Sequence, residues 1–146
     1  NMLIGAMLAG KAFANSPVAA VHALAYPIGG TFHVSHGLSN SLVLPYVLRF
    51  NSADSKTTKD YAELAPFIFP EINTDQGNQA VCKEFIDQLE LLSKKIGLPQ
   101  KLREVNIPKD ACKKMASDAM KQSRLLVNNP REVTENDALN IYEAAW

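Results

Sequence analysis

No carboxylate occurs in residues 1–50, and Lys11 and Arg49 are the only formally charged side chains there. All fifteen acidic residues and the other basic ones lie in residues 51–146. Apolar surface gains free energy by leaving water, so a segment this poor in charge belongs inside a structure. The first third therefore reads as interior, and the rest as amphipathic surface structure. With 146 residues, 47% of them hydrophobic, the chain is long enough for one domain with its own core. An interior segment at the start of a chain needs something to cover it. The chain also opens on Asn rather than Met. Both features lead us to expect a piece of a longer polypeptide. The formal net charge of zero argues against nucleic acid as a partner held by bulk charge.

Two readings of the apolar start fail on their own requirements. A secretory signal needs positive charge ahead of its apolar run, whereas Lys11 falls at the end of this one, beside Ala12-Phe13-Ala14. A membrane span needs about 20 apolar residues, and Lys11, Asn15 and Pro17 interrupt the run well before that. No membrane partner is expected. Cys82 and Cys112 stand thirty residues apart with no CxxC pattern. They read as reduced thiols within helix packing, which suits a cytoplasmic protein.

The pattern along the chain is helix after helix. Residues 2–14 form a small-residue helix. Ser16-Pro17 reads as the N-cap and first residue of a second helix, which runs to Tyr26 and is stopped by Pro27 and Gly29-Gly30. Residues 30–36 read as a turn, and a third helix starts near His36 with a kink or break at Pro45. Residues 51–58 are a polar linker, a short helix covers 58–68, and residues 70–77 are a loop. Val81, Phe85, Leu89, Leu92 and Ile96 then mark one apolar helix face, ended by Gly97 and Pro99. Residues 100–107 hold a short helical turn. Pro108 opens a helix to about 125, with Cys112, Met115, Ala116 and Ala119 inward. Thr134 and Asp137 resemble a capping box before a terminal helix. Strand alternation and hairpin turns are absent, so the expected class is all-α, in one domain spanning 1–146.

The chain's three histidines, His22, His33 and His36, fall within fifteen positions of the apolar segment. Imidazole is a common transition-metal ligand and the usual proton carrier near neutral pH. His22 and Tyr26 share one helix face by their i, i+4 spacing. His36 returns after the Gly-Gly pair at the start of the next helix. Two histidines at such a corner can bind one divalent ion, but they do not complete its coordination.

Ala9-Gly10, Ala12-Phe13 and Asn15 precede His22-Ala23-Leu24-Ala25-Tyr26-Pro27-Ile28-Gly29-Gly30. His36-Gly37-Leu38-Ser39-Asn40, Leu44-Pro45 and Phe50-Asn51 follow. This set resembles the iron-containing alcohol dehydrogenase family, closely over the first 51 residues and only in character beyond them. The resemblance implies the C-terminal helical-bundle domain of a dehydroquinate-synthase-like fold. It implies that His22 and His36 ligate a catalytic Fe2+, or in some members Zn2+, with an Asp and another His supplied from an earlier helix. It implies an absent N-terminal domain that binds most of NAD or NADP. It also implies an alcohol or aldehyde substrate, and a homo-oligomer is expected. Many members carry histidine at the position of Tyr26, where it relays protons. Tyr26 or His33 is therefore the candidate for that role. Phe13 falls where the family places a substrate-pocket aromatic. The implied activity is metal-assisted hydride transfer between an alcohol or aldehyde and NAD(P), with the 146-residue piece inactive alone. The alternatives are a zinc-dependent polyol dehydrogenase of the glycerol type and a non-catalytic helical interaction module.

Overall fold

A computed structural model describes residues 1–146. It contains helices and short 3-10 turns and no strand. The helices are α1 Met2–Asn15, α2 Ala20–Phe32, α3 His36–Asn51, α4 Ser55–Ile68, α5 Asn78–Lys95, α6 Ala111–Met120, α7 Ser123–Leu126 and α8 Glu135–Ala145. The main core forms where α2, α3, α6 and α8 meet, around Leu24, Ile28, Leu42, Val47, Met115 and Tyr142. A second, smaller cluster lies between α4 and α5, around Ala62, Ala65, Val81 and Phe85. Arg49 on α3 reaches across to Asp87 and Glu90 on α5. These charges are partly exposed, so the link adds at most about 1 kcal/mol.

The helical reading holds, and several boundaries move for local reasons. Ser16 closes α1 instead of opening α2: its backbone is extended (φ −135°, ψ 101°) and its N–H donates to Ala12 O. The residue before a proline is pushed out of the helical region, so Pro17 ends one helix before another can begin. The second helix starts at Ala20 and does not stop at Tyr26. It passes through Pro27, Gly29 and Gly30 to Phe32. An interior proline costs a helix about 3 kcal/mol. Here that cost is offset by burial of Ala20, Ala23, Leu24, Ala25, Pro27 and Ile28 along the same helix. The turn expected over 30–36 shrinks to residues 33–35. Its first residue, His33, adopts the left-handed conformation (φ 56°) that closes α2. Helix α3 runs unbroken past Pro45, which is buried.

Asp54 caps α4 by accepting from Thr57 N at 2.8 Å, so this helix begins earlier than its apolar pattern indicates. The apolar stripe of α5 is buried only in its first half. Val81 and Phe85 are buried, whereas Leu92 and Ile96 are exposed, because α4 covers the N-terminal half. Pro108 opens a turn of i→i+3 hydrogen bonds rather than the helix itself. Helix α6 follows at Ala111 and stops at Met120, short of the expected 125. Cys112, Met115, Ala116 and Ala119 are buried, and the Thr134–Asp137 capping box opens α8.

Helix α1 departs from the interior reading of the first third. None of its residues is buried, and Met2, Leu3, Ile4, Met7, Leu8 and Phe13 all face outward. Helices α2 and α3 supply the interior instead. No single helix is long and apolar enough to cross a membrane, though α1 and α2 together form one bent pair of sufficient length, at 113°.

Candidate metal centre

Close packing of α2 against α3 builds the site. The two helices are joined by only three residues, and Gly29 lets them approach. A Cβ at Gly29 would stand 3.2 Å from Val34 O and 3.7 Å from Ser39 Oγ. The buried Ser39 hydroxyl lies 3.0 Å from Ser35 O and 3.3 Å from Val34 O, so it secures the first turn of α3. The Gly-Gly pair is therefore a point of contact inside a helix, not the chain reversal its sequence indicates. Gly30 has open space around it.

On this scaffold the rings of His22 and His36 lie 5.2 Å apart, inclined at 55°. Their Nε2 atoms stand 3.4 and 3.3 Å from one common atom, Nδ2 of Asn40. Two imidazole nitrogens thus face one place from two helices. Tyr26 stacks on His36 with centroids 6.0 Å apart and planes at 27°, and its side chain is 45% exposed. Burial, and then the neighbouring charge of His36, hold the His22 imidazole below its ordinary pKa. Both effects disfavour imidazolium and widen the pH range over which His22 offers a lone pair.

His33 stands apart from this group. It is exposed at the end of α2 and takes part in neither the His22–His36 pair nor the Tyr26–His36 stack. Phe13 is on α1, 56% exposed, and joins neither hydrophobic cluster. The structure therefore brings His22, His36 and Tyr26 together and does not draw His33 or Phe13 into the same contact. It adds Asn40, which sequence reading passed over. The signal was present, since Asn40 follows His36 by four residues and so lies on the same helix face. No group of three or more His, Cys, Asp and Glu side chains converges in this chain. The two histidines are a donor set that fits part of a divalent-metal site, being neutral nitrogen ligands aimed at one point.

The family profile described as "Fe-containing alcohol dehydrogenase family, C-terminal" matches residues 1–146. The chain belongs to the Fe-containing alcohol dehydrogenase family. It is 38% identical over 152 residues to long-chain-alcohol dehydrogenase 1 of Geobacillus thermodenitrificans, a match covering 100% of this chain and 36% of that protein. It is 33% identical to 1,3-propanediol dehydrogenase of Citrobacter freundii, covering 100% of this chain and 37% of that protein. Its fold matches an alcohol dehydrogenase from Oenococcus oeni with a TM-score of 0.85 at 33% identity, covering 96% of this chain and 36% of the other. The chain thus spans little more than a third of the length of these relatives.

Proposed function

We propose that this chain supplies the metal-binding face of an active site that transfers hydride between an alcohol or aldehyde and NAD(P). The observation that carries this reading is the convergence of His22 Nε2 and His36 Nε2 on one place, beside an exposed phenol. His22 and His36 would hold the ion, Fe2+ or Zn2+, with the remaining ligands from the rest of a longer polypeptide. A divalent ion bound there would act as a Lewis acid toward the substrate oxygen.

The chain's own residues do the positioning. Gly29 and Ser39 keep α2 and α3 close, so both imidazoles approach from one corner. Tyr26, partly exposed beside His36, can donate a hydrogen bond to substrate or water, although a phenol gives up its proton far less readily than imidazole. His33 is the alternative proton carrier, reached through solvent rather than by direct contact with the pair. The apolar face of α1, with Phe13, suits cover by a nucleotide-binding domain that would hold most of NAD or NADP, with Phe13 lining the substrate cleft. Two buried free thiols suit a cytoplasmic setting, and a homo-oligomer fits the same reading.

Replacement of His22 or His36 by Ala in the longer protein should abolish NAD(P)-linked alcohol oxidation. Unchanged turnover would favour a non-catalytic helical module. The 146-residue chain alone should show no such oxidation, and measurable turnover by it would contradict this reading. Metal analysis of the active protein separates iron from zinc.

A further inference from the structure

A cleft opens beside the metal corner. Tyr26, stacked on His36, is also one wall of this cleft, whose volume is about 600 Å3. Its other walls are Lys121, Gln122, Ser123, Arg124 and Leu125. That volume is in the range of small-molecule sites. The cleft lies where α7 packs on α2. The Asn128 amide ties this junction together, donating to Arg124 O at 3.0 Å and to Val18 O, just ahead of α2, at 3.2 Å.

The charge of the cleft is one-sided. No carboxylate lines it. Lys121 is already paired with Asp118, which lies outside the lining. Arg124 differs from the other arginines. Arg49 is held by Asp87 and Glu90, Arg103 by Trp146 O and Arg131 by Phe50 O. The Arg124 side chain is exposed and has no partner in this chain. A guanidinium offers a planar fork of donors that matches one carboxylate bidentately. One unpaired cation balances a carboxylate and falls short of a doubly charged phosphate. Leu125 and the Tyr26 ring give apolar walls for a short carbon chain between such a carboxylate and the metal corner.

We propose that this cleft receives the far end of the substrate, and that Arg124 selects alcohols and aldehydes that carry a carboxylate. The substrate class is then ω-hydroxy acids and their semialdehydes. This rests on the functional reading above, because a reacting oxygen at the His22–His36 corner leaves the rest of the molecule to run past Tyr26. Arg124 is a specificity residue and takes no part in the reaction itself.

Two measurements test this. In the first, the longer protein is assayed with succinic semialdehyde and with butanal, which match in carbon number and differ in the carboxylate. kcat/KM should favour the semialdehyde. Arg124→Ala should lower the ratio of the two values about tenfold, as one hydrogen-bonded charged contact is lost. Equal kcat/KM in the wild type, a ratio unchanged in Arg124→Ala, or a loss confined to the KM of the nicotinamide cofactor would overturn the proposal. The second measurement needs neither metal nor turnover. Butyrate at tens of millimolar is added to the 15N-labelled 146-residue chain. The amides of residues 122–125 should shift saturably in the wild type and not in Arg124→Ala. Absence of a saturable shift in the wild type would also overturn the proposal. Reduction of neither aldehyde, with butyrate still bound at Arg124, would sink the functional reading alone.

Discussion

The Tyr142 hydroxyl on α8 donates to the backbone carbonyl of Leu24 on α2 at 2.6 Å, in the centre of the main core. Leu24 is two residues from His22 and one from Ala23, whose carbonyl would have paired with the N–H that Pro27 lacks. The terminal helix therefore braces α2 one residue from the point where its own hydrogen bonding is interrupted. Burial pushes the Tyr142 phenol far above its ordinary pKa, so it stays a donor at any working pH.

Tyr142→Phe should lower stability by about 0.5–1.5 kcal/mol, because it removes one buried hydrogen bond to the Leu24 carbonyl while keeping the ring. Urea denaturation of the two proteins reads this directly. A change below about 0.5 kcal/mol would mean that the Tyr142 bond adds nothing to the hold of α8 on α2.

The two adjacent glycines should respond in opposite ways. Gly29→Ala presses a methyl group against Val34 O, so a backbone must shift, and a loss of about 1–3 kcal/mol is expected. Gly30→Ala meets nothing and gains helix propensity, up to about 1 kcal/mol. Thermal unfolding of both variants checks the sign. Equal destabilisation would show that the pair acts as a flexible turn after all.

The capping box of α8 carries a pH signature. The Thr134 hydroxyl above all holds the Asp137 carboxyl below its ordinary pKa of 3.8. A group depressed in the folded state stabilises fully above its unfolded pKa, and that contribution is lost as pH falls through the folded value. Asp137→Asn should cost about 0.5–1 kcal/mol at neutral pH. The gap from the wild type should close in acid, as Asp137 itself becomes protonated. Stability measured against pH for both proteins tests this, and a gap constant with pH would exclude the charged carboxylate as its source.

Much of this arrangement was legible in the residues. The all-helical class, the buried face of α6 and the α8 capping box follow from periodicity and local hydrogen-bonding chemistry. Pairing of His22 with His36 followed from their placement on either side of one corner. Boundaries set by tertiary packing were hidden. Pro27 and Gly29-Gly30 signal a stop locally, yet burial on several sides carries α2 through them. Leu92 and Ile96 match an inward stripe, but whether such a stripe is covered depends on the position of α4. Asn40 was missed because an amide signals no chemistry until two imidazoles are seen to share it.

Under the proposed function, His22 and His36 act as one pair of metal ligands. Calorimetric titration of the chain with Zn2+ measures this most directly, in the wild type and in His22→Ala and His36→Ala. One ion per chain is expected, held weakly because only two protein ligands are present, and lost in both variants. Binding that persists unchanged in either variant would place the ion elsewhere and contradict the account.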